Sequence, residues 1–233
     1  MDFFDFKKFR VYQERSAFKI GTDGVLLGAW ADASLAENAL DIGTGTGLIA
    51  LMLAQKSSCS ITALEPDKDS YNEAVHNVGI SPWSKKIRVL NKRLQDYQIS
   101  TKYDLIVTNP PFFQRSLHNA DKRLSRARHN YDLDSSALLN AAVKLLNADG
   151  KMCLVLPYTE AALFIADASE YGLYCNRVLK VKPLPSSGVK RMLMEFGKEK
   201  KQLHQSFLVL ETGKRHEYSA DYKKLTADYY LAF

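Results

Sequence analysis

Short apolar runs alternate with stretches of helical periodicity through the first two thirds of the chain. Ala39 to Ile42 is apolar and strand-like and ends at a glycine cluster, after which Gly47 to Lys56 reads as a helix. Ile61 to Glu65 is the next strand, and Asp67, behind Pro66, is placed to cap a helix reaching about Val78. Ile87 to Asn91 and Tyr103 to Thr108 are further β-rich runs. From about Leu133 to Leu146, residues Leu138, Leu139, Ala142, Leu145 and Leu146 recur at helical spacing. Asn147, Asp149 and Gly150 end that helix, and Met152 to Leu156 is strand-like. This βαβα rhythm predicts a mostly parallel sheet with helices on both faces. Beyond Gly172 the pattern becomes β-like at Leu173 to Val181, Val189 to Phe196 and Phe207 to Leu210, with Pro183, Pro185 and Gly188 in the first loop between them. These runs are expected to close the same sheet through a hairpin-type connection. No repeat, low-complexity segment or linker divides the chain, so one domain over residues 1–233 is expected.

Composition narrows the class. With 46% hydrophobic and 25% charged residues, disordered, collagen-like and coiled-coil readings fall away. A net charge of +6 suits a polyanionic partner without demanding one. No apolar run approaches the ~18 residues that span a bilayer, so no membrane association is expected. Asp2 and Asp5 stand where a signal peptide needs positive charge. Cys59, Cys153 and Cys175 are scattered and make neither a disulfide framework nor a zinc motif. The expectation is a reduced, cytoplasmic protein with structural thiols and no metal. The oligomeric state is not readable from the residues, and a monomer is expected.

Asp41-Ile42-Gly43-Thr44-Gly45-Thr46-Gly47 lies between the first of these strands and the helix after it. Glycines there permit a tight turn and let a ligand approach the backbone, while helix-initial N–H groups favour an anionic group. The spacing is G-x-G-x-G rather than the G-x-G-x-x-G of a dinucleotide site. A carboxylate at Asp41 repels a pyrophosphate but suits the amino group of an amino-acid-like cofactor. Glu65, ending the next strand, is spaced to accept two hydrogen bonds from a ribose diol. In this order the residues resemble the class I S-adenosylmethionine-dependent methyltransferases. The resemblance implies a Rossmann-like fold with a mostly parallel, seven-stranded sheet. It also implies that Asp41 lies near the methionine amine, Gly43 and Gly45 border the cofactor, and Glu65 holds the ribose. Asp96, after the third strand, matches a contact to the adenine amino group; an ordinary solvated loop acid is the alternative.

Asn109-Pro110-Pro111-Phe112 follows the fourth strand. Two prolines stiffen the loop and leave its carbonyls available. The Asn109 side-chain oxygen and the Pro110 carbonyl suit the two N–H groups of an exocyclic amine, and Phe112 offers a face for a planar base or amide, worth about 1–3 kcal/mol for a base. The motif resembles amino-methyltransferases that modify adenine N6, guanine N2 or a protein glutamine amide.

Phe18 to Trp30 reads on its own as a loop followed by an amphipathic helix packed on the sheet edge. Together with Asp41 to Gly47, Asn109 to Phe113 and Ala127-Arg128-His129, it resembles bacterial tRNA1(Val) adenine N6-methyltransferases. That family methylates adenosine 37 of valine tRNA, and the similarity runs nearly end to end, most specifically over Lys19 to Trp30. It implies that Thr22 and Asp23 form a lid near the cofactor, within an N-terminal lid and helical segment over 1–35 that precedes a core over 36–233. Arg115, Lys122, Arg123, Arg126 and Arg128 face a single acid, Asp121, just after Phe112, and are placed to grip tRNA phosphates. A second basic run, Arg177, Lys180, Lys182, Lys190 and Arg191, is either a further RNA contact or a solvated surface. Two other readings stay open: a glutamine or rRNA guanine N2 methyltransferase sharing the catalytic loop, and an RNA-binding module with an inactive fold.

Overall fold

The computed structural model describes residues 2–16, 18–98, 100–110 and 134–233. Its strands are β1 (Phe3–Asp5), β2 (Arg10–Tyr12), β3 (Asn38–Ile42), β4 (Ser60–Leu64), β5 (Ile87–Leu90), β6 (Tyr103–Thr108), β7 (Leu146–Pro157), β8 (Tyr174–Lys182), β9 (Arg191–Gly197) and β10 (His204–Val209). Its described helices are α1 (Thr22–Trp30), α2 (Leu48–Lys56), α3 (Lys68–Gly79), α4 (Ser135–Leu145), α5 (Tyr158–Glu170) and α6 (Ala220–Thr226). Asp67 caps α3 by accepting from the Ser70 amide at 2.9 Å, as its position before an amphipathic stretch implies.

Strands β10-β8-β9-β7-β6-β3-β4-β5 form one sheet, and β1 and β2 pair as a separate antiparallel ribbon. Only β9 runs antiparallel, against both β7 and β8. The sheet therefore has eight strands, not seven. The extra one is β10, which adds in parallel to β8 and buries Leu208 while leaving Phe207 exposed. The β8–β9 connection is the expected hairpin.

Buried residues gather on both faces. One layer holds Val25, Leu26, Leu51, Met52 and Leu208, and the other holds Leu138, Leu139, Phe164, Met194 and Phe196. Helix α1 is not the amphipathic edge helix expected. Gly24 through Gly28 are all buried, and the helix packs on α2 so closely that a Cβ at Gly28 would stand 2.6 Å from Met52 Sδ. Its last carbonyls are satisfied by the Lys56 ammonium, which donates to Gly28 O at 2.7 Å and Ala29 O at 2.9 Å and also reaches Ala31 O. At the start of β7, a Cβ on Gly150 would meet the Tyr103 carbonyl at 2.7 Å, which explains a glycine there.

The seven mutually parallel strands end on one side, and the antiparallel β9 begins there. Along that edge lie Glu65, Gly43, Asn109, Arg191, Pro183 and Leu210. Ligands of open α/β sheets bind at this carboxyl edge.

Candidate active site

The turn after β3 is built by glycines with left-handed backbone: φ is 72° at Gly43, 58° at Gly45 and 85° at Gly47. A Cβ placed on Gly45 would meet nothing within 4 Å, so the side-chain position there is open space. Behind the turn, Asp41 is fully buried. Its Oδ2 accepts from Thr44 Oγ1 at 2.6 Å, whereas Oδ1 has no partner at hydrogen-bond geometry among the described residues. Burial pushes this carboxyl up to about 6, and the Thr44 hydroxyl and the Ala50 amide pull it partly back. Glu65 is also buried. Its Oε2 accepts from Gly45 N at 2.8 Å and its Oε1 from Asp67 N at 2.9 Å, so it ties the glycine turn to the start of α3.

The segment leading into α1 is fastened by buried polar groups on α3. Glu73 accepts from Arg15 N at 2.9 Å and Ser16 N at 2.8 Å. Asn77 accepts from Tyr12 N and donates to Tyr12 O and Thr46 O, all at 2.9 Å. Residues four apart lie on one helix face, so a single stripe of α3 holds both the N-terminal strap and the glycine turn. Sequence reasoning missed these positioning residues. Their signal was two polar residues in register with the apolar Ala74 and Val78.

Strap, turn and fourth-strand loop enclose a cavity of about 570 Å³, within the range of small-molecule sites. Phe18, Ile20, Thr22, Asp23, Gly24, Gly43, Gly45, Leu48, Asn109, Pro110 and Arg191 all contribute to its wall. Of the expected site residues, Thr22, Asp23, Gly43, Gly45, Asn109 and Pro110 are thus brought together. Asp41 and Glu65 stand behind the wall rather than in it. Asp96 is exposed and ion-paired with Arg93 at 2.9 Å. Phe112, Arg115, Lys122, Arg123, Arg126 and Arg128 lie outside the described residues.

The second basic run divides. Arg191 Nε donates to Asp23 Oδ2 at 2.8 Å inside the cavity wall. Arg177 instead stacks 3.8 Å from the Trp30 ring centroid and pairs with the buried Glu195 at 2.7 Å, a structural role. Burial pushes the thiol of Cys153 up, and that of Cys175 to about 12, so neither is a nucleophile at neutral pH. Among the described residues no cluster of His, Cys, Asp or Glu could hold a metal, and no helix is long and apolar enough to cross a membrane.

The fold is that of the class I methyltransferases. A structure named a predicted O-methyltransferase from Agrobacterium tumefaciens matches with a TM-score of 0.67 at 17% identity, covering 89% of this chain and 96% of that one. Residues 11–162 match the methyltransferase small domain family. A tRNA1(Val) (adenine(37)-N6)-methyltransferase from Trichodesmium erythraeum is 46% identical over 235 residues, covering 99% of this chain and 98% of its own. The enzyme of the same name from Bacteroides thetaiotaomicron is 45% identical, covering 98% and 97%. The chain belongs to the tRNA1(Val) (adenine(37)-N6)-methyltransferase family.

Proposed function

We infer that this protein methylates the N6 amino group of adenosine 37 in valine tRNA, with S-adenosylmethionine as donor. The observation that carries the reading is the meeting of Asn109 and Pro110 with the glycine turn around one cavity. The near-full-length relatives of that name support the substrate.

The residues fit the cofactor. Gly45 leaves side-chain space open, and the turn exposes backbone rather than bulk toward the cavity. When bound, S-adenosylmethionine supplies a methyl group on a positively charged sulfur. Gly43 and Gly45 border the cofactor, while Thr22 and Asp23 close over it from α1. Asp41 and Glu65 hold the turn in shape from behind, Asp41 through Thr44 and Glu65 through the Gly45 amide. The Asn109 carboxamide oxygen and the Pro110 carbonyl accept the two adenine amino hydrogens. This turns the nitrogen lone pair out of the base plane, where it would take the methyl group in line, with S-adenosylhomocysteine as leaving group and one amine proton released to solvent; catalysis would be mainly orientation. Phe112 stacks on the base, and the arginines and lysines from Arg115 to Arg128 hold tRNA phosphates. A chain whose partner is tRNA works in the cytoplasm, and we read it as a monomer with residues 1–35 as the lid of a single domain.

The test is labelled methyl transfer to a panel of unmodified tRNA transcripts, beside a peptide-release-factor substrate and a cofactor titration. Label in valine tRNA alone is expected. Label in the release factor, or cofactor binding without transfer to any RNA, would overturn the reading.

A further inference from the structure

Past Arg191 along the carboxyl edge of the sheet, a second and larger cavity opens beside the candidate active site. Its volume is about 770 Å³, and Pro183 after β8 and Leu210 after β10 form its floor. We propose that this cavity receives an unpaired base of the RNA substrate, from a nucleotide neighbouring the methylated adenosine. The inference rests on the tRNA reading above and adds a site to it.

The walls are aromatic. Phe3, Phe4, Tyr218, Tyr230 and Phe233 all face the cavity. Phe233 stands 5.3 Å from Tyr218 and 5.4 Å from Tyr230, and Tyr230 stands 5.9 Å from Phe4, centroid to centroid, so these four rings form a continuous lining. Single-stranded bases are recognised by stacking on such rings, and an anticodon loop presents bases free to splay out. Phe3 lies at the rim, 40% exposed, with the Arg10 guanidinium 3.9 Å from its centroid.

Position and charge point to a nucleotide rather than an apolar peptide. Thr22 belongs to the walls of both cavities. Its neighbour Asp23 holds the Arg191 guanidinium, which places a cation beside the residue the two cavities share. Adjacent nucleotides are joined by one phosphate, and a phosphate passing from one cavity to the other crosses at Thr22, next to Arg191. At the outer rim, Glu211 and Tyr218 bridge as the base of a tight loop whose exposed tip carries Lys214 and Arg215. His216 there adopts φ of 68°, and its amide donates to Glu211 Oε1 at 2.9 Å.

The experiment pairs protein and RNA changes in steady-state methyl transfer to unmodified valine tRNA. Phe3→Ala removes a rim ring, and Ala232→Trp fills the cavity while keeping every ring in place. Both should lower kcat/KM for tRNA by about five- to 150-fold, the range for one stacked base, with KM for S-adenosylmethionine unchanged. An abasic nucleotide on one side of the target should cost wild type a similar factor and cost Phe3→Ala nothing more. Variants within about twofold of wild type, or losses that multiply between abasic RNA and Phe3→Ala, would overturn the inference while leaving the activity in place. Wild-type protein that methylates no tRNA would instead overturn the reading beneath it.

Discussion

Replacing Glu73 by Ala removes a carboxylate on α3 that holds the strap leading into α1. Its two oxygens take the amides of Arg15 and Ser16 at 2.9 and 2.8 Å. The two amides respond differently to its removal. Arg15 is exposed and can turn to water, so its loss is about the net worth of a hydrogen bond, 0.5–1.5 kcal/mol. Ser16 is 5% exposed, and its amide would be left buried and unpaired at a cost of about 1–3 kcal/mol. The closed strap is thus destabilised by about 2–4 kcal/mol. The chain beyond it, Phe18 to Gly24, forms one side of the cavity, so cofactor affinity should fall at least about tenfold, equivalent to about 1.4 kcal/mol. Calorimetric titration with S-adenosylhomocysteine reads the affinity, and amide exchange at Ser16 reads the strap. Glu73→Gln, which keeps one acceptor, should fall between wild type and Glu73→Ala. A folded Glu73→Ala protein with wild-type affinity and unchanged protection at Ser16 would refute the role.

Asn109→Ala should cut kcat/KM more than tenfold with cofactor affinity nearly unchanged, because Asn109 orients the acceptor; a smaller loss in single-turnover assays, under about 1.4 kcal/mol, would remove it from the mechanism. Asp41 is buried with its carboxyl raised to about 6, so the native state binds its proton more tightly than the unfolded chain does. That group's contribution to stability therefore falls as pH rises from about 4 to 6, and the full cost, about 3 kcal/mol, is present above that window. Asp41→Asn should flatten this part of the denaturation-midpoint profile, and a wild-type slope in the variant would contradict the assignment. If Arg126 and Arg128 hold phosphates, the double Ala variant should flatten the salt dependence of tRNA affinity by up to about one unit for each phosphate released, and parallel lines would exclude the role.

Local pattern was enough to place the glycine turn, the Asp67 cap of α3 and the Asn109 loop at the edge of a parallel sheet, whereas Asn147, Asp149 and Gly150, expected to end α4, belong to β7. Each rests on residues close in sequence whose backbone demands are specific, as at Gly45 and Asp67. What escaped depends on distant partners. Helix α5, with its Glu160 buried, went unread, as did the short α6 and the ribbon of β1 and β2, because strands of three residues carry no usable periodicity. Spacing put Asp41 and Glu65 in the site but did not show that both serve the turn from behind. Asp96 sits three residues from Arg93, close enough for an ordinary surface ion pair. Arg191 looked like one charge in a basic run until β9 carried it to Asp23, 168 residues away in sequence.

The most direct measurement is nucleoside mapping of unmodified valine tRNA after incubation with the protein and S-adenosylmethionine, for wild type and Asn109→Ala in parallel. One N6-methyladenosine at position 37 is expected with wild type and little or none with the variant. A methyl group on guanine N2, on another position, or on no nucleoside at all would contradict that expectation.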